Sequence, residues 1–247
     1  MNLLNKVSQV KQKVSGAGQQ LSFVRAYFSL VEDPNDTVRV FKLQDKMLRA
    51  TSSETRQAII DFIKQDPAVA QCIEQRYVAP DYKVADLAQC QPGTLGYAYY
   101  RHMSDNGFTP DFFPAVKLDD ELGYFELRMR QTHDIWHVVA GYSPSVEDEI
   151  GLQTFYAAQM PGPMFNAVLV SAGLLHGVTR NQKLIKPILN AISKGWEQGI
   201  AVRHMQAAKW EEMWNRSLEE IRQEYKVKPA HDLYDFSPTQ ERELAAV

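Results

Sequence analysis

Two imidazoles and a carboxylate fall within one short stretch, His133-Asp134-Ile135-Trp136-His137. On a helix turning about 100° per residue, His137 lies about 40° and Asp134 about 100° from His133. All three share one arc, with the imidazoles one turn apart. That is what a single helix must offer a divalent metal, as the histidines of an HExxH helix do. A lone histidine is ordinarily a satisfied core or surface residue. Two with an aspartate on one arc, on a helix that also carries Phe125, Met129, Trp136 and Val139, point instead to metal binding. A further ligand has to come from another element. Glu147, Asp148 and Glu149 follow the Gly141 turn, and spacing alone does not choose among them. Glu149 has a second argument in its favour. It lies within about 60° of Gln153 and Tyr156, a polar stripe beside Val146, Ile150, Leu152 and Phe155 that could line a site or simply face solvent.

Arg130 and Glu126 fall at about 60° and 20° on the same scale, so both align with these ligands. A guanidinium there would suit a phosphate or carboxylate on a ligand. An i,i+4 pair with Glu126 is the competing role. Imidazole and carboxylate donors form a borderline set that suits zinc and also accepts iron, cobalt or manganese. An open coordination position would allow Lewis-acid work on a bound oxygen. His231-Asp232 has no second histidine after it. His102, His176 and His204 lack ligand spacing and are assigned structural roles.

The elements that must carry these residues are helices, and the expected fold is all-α. Asp36 suits an N-cap, Ser53 could cap the next helix, and Asp66-Pro67 sets a cap followed by proline at the first helical position. Thr94 opens a tyrosine-rich helix that stops near Gly107. The motif helix starts at Asp119 and ends near Gly141, a natural C-cap residue. Ser145 with Asp148 resembles a capping box, and Pro161-Gly162-Pro163 ends that helix. An almost wholly apolar helix follows, Met164 to about Val178. Residues 184–226 read as helical, with breaks near Pro187 and around Gly199. The end of that segment carries Trp210, Met213, Trp214, Ile221 and Tyr225 on one face, a core stripe or a homodimer face. Three regions result: a basic amphipathic helix over 1–20, a helical body over 21–227, and a loose polar tail over 228–247.

The chain has 247 residues and a net charge of −3. Four cations and no acid lie in the first 31 residues, so the total conceals +4 there and −7 in the remainder. Leu3, Val7, Val10 and Val14 recur at helical spacing among those lysines, which fits an anionic membrane surface or a packing arm. The overall charge gives no basic field for nucleic acid. Cys72 and Cys90 have no CxxC spacing and suit a reducing compartment. No run of 18 or more apolar residues argues for a membrane span, and no secretory h-region is present. The expected location is cytoplasmic, with peripheral association on the cytoplasmic membrane face.

These residues resemble the fourth of the coenzyme Q (ubiquinone) biosynthesis protein families, Coq-four. Its signature is His-Asp-x-x-His, eleven residues, then Glu. Here His133-Asp134-x-x-His137 is followed by Val138 to Asp148 and then Glu149. Pro92 to Tyr100, Asp119-Asp120-Glu121, Arg130 and the Trp210 to Glu224 segment extend the resemblance over about residues 20–228. It implies a mostly helical fold and a divalent metal, zinc first and otherwise iron, cobalt, manganese or magnesium, on His133, Asp134, His137 and Glu149. It also implies a peripheral membrane protein that works with other quinone-biosynthesis enzymes. The implied reaction is C1 decarboxylation and hydroxylation of a prenylated hydroxybenzoate, with Arg130 steering the carboxylate. The apolar Met164–Val178 helix would then wall a groove for a polyprenyl lipid, unless it is ordinary core. A non-catalytic isoprenoid-binding scaffold is the alternative function. A His-Asp phosphohydrolase fits poorly, because such sites gather ligands from several separated helices.

Overall fold

The computed structural model describes residues 21–34, 36–110, 120–160 and 164–233. The described residues are all-α. Helix α1 covers residues 21–32. It is followed by α2 (Thr37–Ala50), α3 (Ser53–Ile63), α4 (Pro67–Gln75), α5 (Leu95–Asn106) and α6 (Glu121–Ala140). Then come α7 (Val146–Gln159), α8 (Met164–Thr179), α9 (Ile185–Ala201) and α10 (Leu218–Tyr225). Among them no helix is long and apolar enough to cross a membrane. The basic helix expected over 1–20 lies outside the described residues.

The starts are set by side chains that satisfy otherwise orphaned N–H groups. Asp36 accepts from Arg39 N, Asp66 from Ala68 and Val69 N, Thr94 from Tyr97 N, Asp120 from Gly123 N, and Ser145 from Asp148 N. Ser52 rather than Ser53 caps α3. Gly107 and Gly141 stop α5 and α6 in the left-handed region, at φ 67° and 79°.

One expectation needs correction. Residues 184–226 are not one helical segment. Pro187 lies in the first turn of α9, where its missing N–H costs nothing, and Gly199 lies inside that helix. After Ala201 the chain is irregular apart from a 3-10 turn, Trp210–Glu212, until Ser217 caps α10. The aromatic stripe that suggested a homodimer face is therefore core. Trp210 and Ile221 are buried, and Trp214 stacks on Tyr99 at 5.2 Å between ring centroids. Of the tail expected over 228–247, residues 228–233 are described. Ala230 is buried, Gln198 Nε2 donates to Lys228 O (2.6 Å) and to Ala140 O (3.0 Å), and Pro229 sits against Gly141. Residues beyond 233 lie outside the described set.

Two apolar cores result. The larger gathers Tyr99, Trp136, Val139, Leu152, Phe155, Trp210 and Ile221, and α6 runs through it. The smaller joins α1, α2 and α8 through Leu30, Val31, Leu43, Leu169 and Ala172. Helix α6 is held near its middle and at its C-terminal turn. Arg128 makes a bidentate bond to Glu211, at 2.9 and 3.1 Å, with both side chains buried. Arg222 donates to Val138 O and Val139 O, two carbonyls in the last turn that lack helical partners. Helix α7 is held against α9 by glycines. Gly195 lies against the backbone carbonyl of Gly151, and Gly199 against Phe155 O and Ala158.

Candidate metal centre

Helices α6 and α7 bring three of the expected ligands together. His137 Nε2 is 3.3 Å from His133 Nε2 and 3.0 Å from Glu149 Oε2, and His133 Nε2 is 3.6 Å from the same oxygen. One donor atom from each of these three residues lies within 4.8 Å of the other two. The distal ring nitrogens are engaged elsewhere. His137 Nδ1 is 3.3 Å from Tyr142 O, and His133 Nδ1 is 3.2 Å from Tyr156 Oη. With the Nδ1 atoms serving as donors, both Nε2 lone pairs face one point, the second-sphere arrangement usual for metal-binding imidazoles. The donor set and its orientation therefore fit a divalent ion.

The electrostatics point the same way. Burial alone would push His133 down, but the Glu149 carboxylate outweighs it by charge and hydrogen bonding, and Asp134 adds to this, so His133 rises to about 9. Burial would likewise raise Glu149, yet His133 and His137 hold it well below the usual carboxylate range. About a third of the Glu149 side chain is open (36%), so solvent screens part of this attraction. The triad stabilises positive charge at its centre.

Asp134 stands beside the triad rather than in it. Its carboxylate faces His102, with Nε2 at 3.9 Å, beyond a hydrogen bond. His102 packs against the site: its ring stacks on His137 at 5.4 Å and 22°. It comes from α5, far away in sequence, and no local spacing marks it. Among the neighbouring acids, Glu149 is the one that turns inward. Asp148 instead accepts from Ser143 N at 2.8 Å.

The triad opens into a cavity of about 630 Å³. This cavity lies between the two cores. Phe125, Tyr156 and Met160 line it from one side, Leu30, Leu169 and Ala172 from the other. Helix α8 contributes Phe165, Leu169, Ala172 and Gly173, so its apolar face is a cavity wall as well as core. A second polar cluster lines the cavity along α6. Arg130 Nη2 donates to Gln44 Oε1 (2.8 Å) and pairs with Asp45 (3.1 Å), and its guanidinium lies over Phe41. Gln44 Nε2 donates to Glu126 Oε2 at 2.7 Å, so Gln44 bridges Arg130 and Glu126. The partners from α2 carried no sequence signal.

Burial pushes the Glu126 carboxyl up to about 7, against the pull of Arg130 and Arg56. A carboxyl raised above its ordinary 4.5 contributes its full stability below that value and loses it as pH rises through about 7. Glu126→Gln keeps an acceptor for Gln44 and removes the buried charge. At pH 8 it is expected to stabilise the fold by on the order of 2 kcal/mol, raising the Tm by about 4–8 °C, with no gain at pH 4. Thermal melts at the two pH values check this. An equal shift at both would contradict it.

Comparison with known proteins gives this geometry a family. The family model described as "Coenzyme Q (ubiquinone) biosynthesis protein Coq4" matches residues 17–231. Ubiquinone biosynthesis protein COQ4 of Eremothecium gossypii, described as mitochondrial, is 30% identical over 158 residues, 62% of this chain and 47% of that protein. The same protein of Coprinopsis cinerea is 28% identical over 207 residues, 83% of this chain and 65% of that one. The chain spans about half the length of several curated relatives it matches. A crystal structure of a protein from Nostoc punctiforme superposes with a TM-score of 0.73 at 31% identity, covering 83% of this chain and 97% of that one. With the family model spanning all ten helices and the His133-to-Glu149 motif, the chain belongs to the coenzyme Q (ubiquinone) biosynthesis protein Coq4 family.

Proposed function

We propose that this chain acts in ubiquinone or related prenyl-quinone biosynthesis, holding a divalent ion beside an apolar cavity that takes a polyprenyl lipid. One observation carries this reading: the His133–His137–Glu149 triad and the apolar wall of α8 line the same cavity. A ligand with a polar aromatic head and a prenyl chain needs both. Asp134 also lines this cavity and completes the ligand set by turning from His102, a move that breaks no hydrogen bond at 3.9 Å. Zinc suits these donors best, with iron, cobalt, manganese and magnesium as the other ions to test.

The reaction we infer removes the C1 carboxyl of a prenylated hydroxybenzoate as CO₂ and places a hydroxyl there, with an external oxidant supplying the oxygen. A bound ion would supply Lewis-acid stabilisation of charge on a ring oxygen or carboxylate. Arg130, three residues before His133, gives the cavity wall a fixed positive charge that favours the anionic substrate over the neutral product. Gln44 and Asp45 hold that charge in place. The apolar walls exclude water from the ring and seat the chain. Peripheral contact with an anionic membrane on the cytoplasmic face, through the exposed Leu21, Val24 and Phe28 of α1, would deliver such a lipid. Other quinone-biosynthesis enzymes are the proposed partners.

Elemental analysis and lipid mass spectrometry of the purified full chain test this. A stoichiometric divalent ion and an isoprenoid lipid are expected, and finding neither would sink the proposal. CO₂ release by the metal-loaded chain and by His137→Ala then separates the two functions. Turnover that His137→Ala loses supports catalysis, whereas bound lipid with no turnover in either supports the scaffold.

A further inference from the structure

Asn166 is a polar residue in the first turn of the otherwise apolar cavity wall of α8. Its side chain does not face solvent alone. Asn166 Nδ2 donates to Gln153 Oε1 at 2.7 Å, and Gln153 Nε2 donates to Glu149 Oε1 at 2.8 Å. The direction of this chain is fixed by its end, because an ionised carboxylate only accepts. Gln153 must offer its NH₂ to Glu149, which leaves its carbonyl for an NH₂ from α8, and Asn166 supplies one. Gln153 is buried, so neither end of its amide finds an easy substitute in water. The consequence falls on Glu149. Its Oε1 is engaged by the relay, and its Oε2 is the oxygen aimed at His137 and His133.

Building on the metal reading above, the structure assigns Gln153 and Asn166 as positioning residues that hold Glu149 with one oxygen toward the ion and tie that ligand to the apolar wall of α8. Phe165 and Leu169 flank Asn166 on the cavity side. A prenyl chain lying against them fixes the first turns of α8, and with them the relay. Ion and lipid therefore bind cooperatively, each raising affinity for the other by the same factor. The carbonyl and carboxamide chemistry is specific: an apolar side chain of similar volume at either position keeps the packing and breaks the relay.

Cobalt(II) titration of the full chain, followed by visible absorption, with and without farnesol, tests this. Farnesol carries a prenyl chain and no anionic head, so it probes the wall without competing for the ion. Wild type is expected to bind cobalt about fivefold tighter with farnesol present. Gln153→Met is expected to weaken cobalt binding about 10- to 100-fold, the usual effect of losing an outer-shell partner. Its spectrum should also change, because a freed carboxylate can bind through both oxygens. Asn166→Leu should retain cobalt binding at reduced affinity and lose the farnesol effect. Should Asn166→Leu fail to fold, Gln153→Met, which conserves volume, carries the same two readouts. Wild-type affinity, spectrum and farnesol response in both variants would overturn the relay while leaving the metal reading intact. A wild type that binds no cobalt would overturn both.

Discussion

Replacing His137 by alanine is expected to reduce divalent-ion affinity by more than about 100-fold, beyond what an outer-shell loss costs. His137 is the centre of the triad. Its Nε2 is the atom nearest to both His133 Nε2 and Glu149 Oε2, its Nδ1 is fixed by Tyr142 O, and its side chain is buried. The alanine variant keeps His133 and Glu149, 3.6 Å apart, with Asp134 beside them, but loses the donor that stands in closest contact with both. Asp134→Ala is the informative companion. If its carboxylate turns from His102 to join the ion, as proposed, its loss approaches that of His137→Ala. A loss confined to about 10- to 100-fold would place it outside the ligand set. His231→Ala, on an exposed imidazole that meets Gly141 O and contributes no donor to the triad, should leave ion binding unchanged. Inductively coupled plasma analysis of the dialysed proteins, with a chelator competition for affinity, reads all three. Retention of a stoichiometric ion by His137→Ala would remove the metal centre altogether.

What the sequence made legible about this site is what one helix can show. His133 and His137 were recoverable because a fixed angular step relates spacing to direction, and Glu149 because its polar stripe with Gln153 and Tyr156 continues along α7. The caps at Asp36, Asp66, Thr94 and Ser145 were legible for a similar reason, since each cap is a local bond between neighbours. His102 and Gln44 were not, because both reach the site across the fold from helices that share no register with α6. The same limit explains the irregular stretch between α9 and α10. Trp210 and Tyr225 do face each other, with ring centroids 5.2 Å apart, but through a loop that returns the chain rather than along one helix. Gly199 looked like a helix breaker because its propensity is poor. What offsets that propensity is the backbone of α7, which no local rule reveals.

That glycine contact sets the second large effect. Gly195→Leu is expected to destabilise the fold by about 3 kcal/mol, lowering the Tm by roughly 6–12 °C. A side chain at 195 would run into the backbone carbonyl of Gly151 and meet Thr154 Cβ at 3.0 Å. Leucine does restore about 1 kcal/mol of helix propensity lost to glycine. That gain is smaller than the overpacking cost, because the opposing atom is main chain and cannot rotate away. Helix α7 can relieve the clash only by moving off α9. Gly151 is two residues from Glu149, so the displacement carries the carboxylate away from His133 and His137. The variant should therefore lose ion affinity as well as stability, at a position that never touches the cavity. Ser193→Leu, an exposed position on the same helix, controls for the added bulk. Thermal melts of both proteins, paired with ion titration at a temperature where both are folded, separate the two effects. A Gly195→Leu protein that melts within about 1 °C of wild type would show that α7 and α9 are not held together at this contact. One that melts early yet binds the ion normally would show that Glu149 is positioned from the cavity side alone.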